Sequence, residues 1–148
     1  MNPNVKLNEK IAILATIDPA SAAVGTVSTA YIPVANFSNI SALLKIGVIG
    51  ALGTIDAKLV QSQDAAGTGV KPITGKAIAQ VLAAGGNSKQ VSIECRADDL
   101  DTNNGFGFVA LSVTIGTAAS FIDAALIGAN PRYYPASQYN QTGVVQVV

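Results

Sequence analysis

Seven short runs rich in Val, Ile, Thr and aromatic residues, each closed by a cluster of Gly, Asn, Ser or Pro, constrain the fold of this chain more than any other feature. They occupy residues 10–17, 25–34, 42–50, 54–61, 90–96, 106–115 and 121–127. Runs of this length, punctuated so regularly by turn residues, predict an all-β chain, a β-sandwich or jelly roll of seven to eight strands. Asp18-Pro19 is expected to stop the first run. Within 108–115 the residues alternate. Phe108, Ala110, Ser112 and Thr114 take one face while Val109, Leu111, Val113 and Ile115 take the other, and the second face is expected to be core.

One segment departs from this pattern. Thr74 can serve as an N-cap, Ala77, Ile78, Val81, Leu82 and Ala84 make an apolar stripe, and Gly85-Gly86 supplies a left-handed stop, so a short helix is expected across 75–84. The polar residues 1–9 read as an N-terminal arm, 10–137 as the β-sandwich domain, and 138–148 as an extended C-terminal tail. At 15.0 kDa the chain fits one domain, large enough to bury roughly 68–70% of the surface its unfolded form exposes.

Composition narrows the function classes. The chain has no histidine, no tryptophan, one cysteine and only 12% charged residues, so it lacks most of the groups that move protons or polarise bonds near neutral pH. Nine Lys+Arg balance nine Asp+Glu, which leaves no basic face for a run of phosphates and makes nucleic acid an unexpected partner. The longest apolar stretch, 42–55, is cut by Lys45 and three glycines and falls short of the roughly 20 residues of a membrane-spanning helix. A net charge of zero with a mean hydropathy of +0.41 favours a chain that buries extra surface in a homo-oligomer or docked assembly. Met1-Asn2-Pro3-Asn4-Val5-Lys6 lacks the pattern of a signal peptide, so the protein is expected to stay in the cytoplasm until assembly.

Four constellations invite a chemical reading, and each has a plainer one. Gly69-Val70-Lys71-Pro72-Ile73-Thr74-Gly75-Lys76 has nearly the spacing of a phosphate-binding loop, but it is one residue too long and Ala77 stands where a hydroxyl is required. In Asp98-Asp99-Leu100-Asp101-Thr102-Asn103-Asn104-Gly105 the oxygens of Asp99, Asp101 and Asn103 alternate as in a calcium loop. The glycine comes one place late, however, and position twelve is Ala110, so a polar turn is the better reading. Glu94 and Asp123 lie in expected strands as outward charges. Cys95 has no intrachain partner and reads as a small core residue. The expected catalytic, cofactor and metal sites are therefore none.

Interface candidates are clearer. Pro131-Arg132-Tyr133-Tyr134-Pro135 stiffens a segment carrying Arg132, Tyr133 and Tyr134, residue types enriched in binding hot spots, although a tail packed on its own domain explains it too. The ending Gly143-Val144-Val145-Gln146-Val147-Val148 has strand composition without a local partner. Val144, Val145, Val147 and Val148 could add to a neighbouring sheet edge or form an edge strand of their own domain. Asn2, Pro3 and Val5 of the arm complete the set.

The run Gly50-Ala51-Leu52-Gly53-Thr54-Ile55-Asp56-Ala57-Lys58-Leu59-Val60-Gln61-Ser62-Gln63-Asp64-Ala65-Ala66-Gly67-Thr68-Gly69, continuing through Gly75-Lys76-Ala77-Ile78, resembles small structural proteins encoded in the head-gene clusters of tailed bacteriophages and prophages. Leu100-Asp101, Gly105-Phe106, residues 111–118 and Asn130-Pro131-Arg132-Tyr133 follow in the same order, so the resemblance covers 50–137. It implies a virion structural protein without enzymatic activity. The role it most suggests is a capsid decoration, or cement, protein: a compact β-domain, often a trimer, that binds the major capsid protein on the outer head surface. A head–tail connector, tail-tube or tail-tip subunit is the alternative it implies.

Overall fold

The computed structural model describes residues 4–148. It contains ten strands: β1 (Ile11–Ala22), β2 (Gly25–Ser28), β3 (Ile32–Pro33), β4 (Phe37–Ile49), β5 (Thr54–Ser62), β6 (Lys71–Ala77), β7 (Val81–Leu82), β8 (Gln90–Arg96), β9 (Phe108–Gly116) and β10 (Ser120–Pro131). One sheet has the order β1-β10-β4-β8 and the other β2-β9-β5-β6, with β3 added to β9 and β7 added to β5. All pairings are antiparallel, and they run in reverse order along the chain: β1 with β10, β2 with β9, β4 with β8, β5 with β6. A long hairpin rolled up on itself in this way is a jelly roll.

The two inner faces supply the core. Ile40, Leu44 and Leu126 from one sheet and Ile55, Leu59, Leu111, Val113 and Ile115 from the other are almost fully buried, each contributing about 1.5–3 kcal/mol by leaving water. Ala12, Ala15, Ala42 and Ala124 occupy the same inner face of the first sheet, whose bulk comes from Phe37, Ile40, Leu44, Ile46, Ile122 and Leu126. The expected core face of β9 is the observed one, since Val109, Leu111, Val113 and Ile115 are each no more than 1% exposed. Cys95 sits in the core, where burial first and Asp99 second push its thiol up to about 11.

Three local expectations are corrected. The helix expected over 75–84 does not form there. Lys71–Ala77 is strand β6, Val81–Leu82 is strand β7, and a four-residue turn, Ala83–Gly86, is the helical remnant. Both strands pair with β5, so sheet contacts take up the apolar residues that suggested a helical stripe. Asp18-Pro19 does not stop β1 but sits in a register shift between Ile17 and Ala20, after which pairing with β10 resumes at Ile122. The run 25–34 is split in two by Thr29. Its N–H donates to the Leu111 carbonyl at 3.0 Å and its Oγ1 accepts from Leu111 N–H at 3.0 Å, replacing ladder contacts with a local kink.

Truncating a fully buried centre of β9 tests this core. Leu111→Ala is expected to lower unfolding free energy by about 3 kcal/mol, read as a lower denaturant midpoint with unchanged slope.

Candidate functional site

The sandwich has two unlike ends. At one, the connections 63–70 and 97–107 and the segment after β10 gather most of the loop charge. The Lys71 ammonium pairs with Asp101 and lies 4.1 Å from the centre of the Phe106 ring. Lys76 pairs with Asp99 at 3.1 Å, and Arg96 with Asp98 at 3.3 Å. Gln61 Oε1 accepts from Asp101 N–H at 2.8 Å, and Gln63 Nε2 donates to the Asn104 carbonyl at 3.0 Å.

These contacts set the acidity of the loop carboxylates. The Lys71 ammonium, then the Asn104 amide, hold Asp101 below the usual carboxylate range. Arg96 N–H, then Lys76, do the same for Asp99. At the turn following β5, the Thr68 hydroxyl and amide hold Asp64 low. The Asp98–Gly105 carboxylates thus face lysine, arginine and amide groups, and among the described residues no three ligating side chains converge. Residues 71–76 of the phosphate-loop-like segment lie in strand β6, not in a loop. Asp123 pairs with Lys45 at 2.8 Å. Glu94 lies opposite Ser41, four residues away along β4, or about 13 Å, so the two carboxylates do not act as a pair.

Of the interface candidates, Val5, Arg132, Tyr133 and Tyr134 fall at this same end, while Val144 and Val145 lie along β1 beside Ile13, Thr16 and Asp18. Arg132 N–H donates to the Asn36 carbonyl at 2.8 Å, which anchors the backbone, while Tyr133 and Tyr134 stand 62% and 59% exposed. The helical turn Leu7–Lys10, which half-buried Val5 precedes, packs against the turn Ala136–Tyr139. Tyr139 in turn meets Phe37 edge-on with centroids 5.4 Å apart. The chain is next pinned to β1: Ile13 N–H donates to Asn140 Oδ1 and Gln141 N–H donates to the Ile13 carbonyl, both at 2.8 Å. Beyond that point Val144 is half-buried and Val145, Val147 and Val148 are exposed. Asn2 and Pro3 lie outside the described residues.

The opposite end carries a surface that sequence reasoning missed. It is built from four connections, three of which hydrogen-bond to one another. Gly50 N–H donates to the Ala119 carbonyl at 3.2 Å, Ala83 N–H to the Gly53 carbonyl at 3.0 Å, and Ile49 N–H to Asn87 Oδ1 at 2.8 Å. Ala22 lies opposite Ser120 and brings the β1–β2 connection alongside. Across residues 22–25, 46–54, 81–88 and 116–122 there is no charged side chain. Val24, Val48, Leu52, Leu82 and Phe121 are all exposed there, Leu52 to 83%.

Leu52 projects from a tight turn with φ +59°, a left-handed conformation that costs a leucine about 1–2 kcal/mol. Glycines on either side make the turn possible: a Cβ at Gly50 would come within 2.5 Å of the Ala119 carbonyl, and one at Gly53 within 2.8 Å of the Gly50 carbonyl. A large apolar residue held strained at an exposed tip fits a contact surface better than a solvated loop. The available signal was the scarcity of charge in the connections, Lys89 being the one charged residue in the four; that all four share one end follows only from the strand order.

No protein-family model matches this sequence, and no curated protein matches it. Solved structures are only distantly similar. A Cowpea mosaic virus empty-particle protein is 11% identical with a TM-score of 0.44, the match covering 85% of this chain and 88% of that one. The SPBc2 prophage-derived protein YomS is 11% identical with a TM-score of 0.43, covering 84% of this chain and 100% of that one. The Clostridium thermocellum xylanase 10B CBM22-1-GH10 structure is 12% identical with a TM-score of 0.44, covering 80% of this chain and 27% of that one. Such distant likenesses to a capsid, a prophage protein and a xylanase assign no function.

The depressed carboxylates set a pH response. A group whose folded pKa is lowered contributes stability that is fully present above its unfolded value, about 3.9 for aspartate, and lost as pH falls through the folded value. The melting temperature is therefore expected to fall as pH drops below about 4, and Asp101→Asn should flatten that acid limb while lowering the melting temperature at neutral pH. Cys95 should resist alkylation in the native protein at mildly alkaline pH and react once the chain is denatured, as counted by mass spectrometry.

Proposed function

We propose that this chain is a virion structural protein of a tailed phage or prophage, a capsid decoration protein that binds the outer surface of the head and stabilises contacts between capsomers. The observation that carries the reading is the sparsely charged sandwich end with Val24, Val48, Leu52, Leu82 and Phe121 exposed on it. Such a surface suits a partner that also lacks local charge and gains stability from covered apolar area. The loops that bear it are tied together by backbone hydrogen bonds, so the surface is already arranged and loses little freedom on binding.

The sequence resemblance to head-gene-cluster proteins points to the major capsid protein as that partner. Repeated weak contacts from a symmetric oligomer reinforce each other through effective concentration, which allows each joint to be modest. The carboxylates shifted among the described residues are all shifted downward by cations, hydroxyls or amides. That is the pattern of fixed surface loops, not of an acid kept protonated for catalysis.

The test is to mix the purified protein with expanded heads that lack it and image the particles by cryo-electron microscopy. Density at regular positions outside the shell is expected. Leu52→Gly, which relieves the left-handed strain, and Phe121→Ser should both fold yet leave the shells at least tenfold less occupied. Bare shells beside wild-type protein that forms tubes or joins tails would move the assignment to the tail.

A further inference from the structure

The two sheets have four edges, and three are closed to further pairing. β1 is bulged after Ile13 and again across Asp18-Pro19, and at Ile13 its outer backbone groups are taken by Asn140 and Gln141. β2 has only four residues. β6 contains Pro72, which has no amide donor, and a left-handed Gly75 at +76°. Shortness, proline and bulges are the usual means of blunting an edge.

β8 has none of them. It runs seven residues without proline, in unbroken register with β4 from Asn39↔Arg96 to Lys45↔Gln90. Ladder bonds alternate along an antiparallel strand. Just before β8 the Lys89 carbonyl accepts from Ile46 N–H at 2.8 Å, so the bonds to β4 fall on Val91, Ile93 and Cys95. The backbone groups of Gln90, Ser92, Glu94 and Arg96 then point outward. At Arg96 the outward N–H is taken by the Asp99 carboxylate at 2.8 Å, which leaves Ser92 and Glu94 at the centre of an open edge.

The chain also carries a strand-like segment without a sheet. Gly143-Val144-Val145-Gln146-Val147-Val148 is uncharged and β-branched and belongs to no strand. It starts beside β1, on the far side of the sheet from β8. Reaching β8 of the same copy means crossing three strand spacings, about 14 Å. Residues 142–148 cover about 24 Å when fully extended, so roughly three residues would remain to pair. A neighbouring copy whose β1 side lies against β8 can offer the whole segment.

We propose that residues 143–148 of one copy add as a strand to β8 of the next, through the outward backbone of Ser92 and Glu94, and join copies head to tail. Backbone hydrogen bonds give such a joint its affinity. A head-to-tail contact closes into a ring when its rotation permits. The inference stands apart from the decoration reading, because it concerns the isolated protein and its test contains no capsid.

Native mass spectrometry and light scattering on the full chain decide it. Wild type is expected to assemble beyond a monomer. Ser92→Pro removes one outward amide without touching a ladder bond, and the pair Val145→Asp with Val147→Asp changes only the exposed tail; each should weaken association at least tenfold. Melting curves check that both variants fold. Mixed in equal amounts, they should give a dimer and nothing larger, since the intact tail of one meets the intact edge of the other and growth stops there. A monomeric wild type, undiminished assembly by both variants, or a mixture that stays monomeric would overturn the proposal. Should Ser92→Pro unfold, hydrogen exchange at the Glu94 amide of wild type decides instead: at least tenfold slowing on assembly is expected, and no change sinks the idea.

Discussion

Reverse-order pairing of the two halves of the chain is the constraint on which everything else depends. The roll begins at the turn after β5, where Asp64 accepts from Ala66 N–H at 2.9 Å, Thr68 N–H at 3.0 Å and the Thr68 hydroxyl at 2.6 Å. From that turn outward, each strand of the first half finds its partner at a steadily greater sequence distance, ending with Ile11 opposite Ala129. The two inner faces meet only if this register holds, because a slip by one residue would turn the buried set of β9 toward solvent. Sheet order also decides which connections share an end, and so places the sparsely charged apolar surface opposite the ion-paired loops.

Much of this was legible in the residues. The alternation of Val109, Leu111, Val113 and Ile115 marked a core face because side chains in a strand have a period of two and only one set was uniformly large. The bounds of β8 were readable for the same reason. Between Thr74 and Gly86 the pattern misled, since short strands pairing with β5 leave apolar residues at spacings that also suit a helix. Neither Pro72 nor Gly75 favoured a strand reading there, and tertiary pairing overrode both. Asp18-Pro19 looked like a stop because proline breaks a ladder, yet a bulge on an edge strand accommodates it.

The candidate site was less legible than the fold. Tyr133, Tyr134 and the valine-rich tail stood out because each lies in one continuous stretch. The surface around Leu52 and Phe121 is contributed by four separated connections, each of which alone reads as an ordinary Gly/Ala turn. Only the hydrogen bonds from Gly50 to Ala119 and from Ala83 to Gly53 make them one surface. The two surfaces also face differently: the turns cap an end of the sandwich, while the open edge of β8 runs along its side. A shell contact and a contact between copies could therefore be made at once without competing.

The position of the last two long strands has a further consequence for how the molecule comes into being. β10 lies between β1 and β4, and β9 lies between β2 and β5, so each sheet stays split until residues 108–131 have left the ribosome. Until then β4 can pair only with β8 and β5 only with β6 and β7, while β1 and β2 have no partner strand. Topologies dominated by such distant pairings fold slowly and expose unpaired strands meanwhile. A nascent chain halted before residue 108 would hold most of the apolar strand sequence and neither of the strands that join it into sheets, which makes premature termination a greater aggregation hazard here than truncation of the tail.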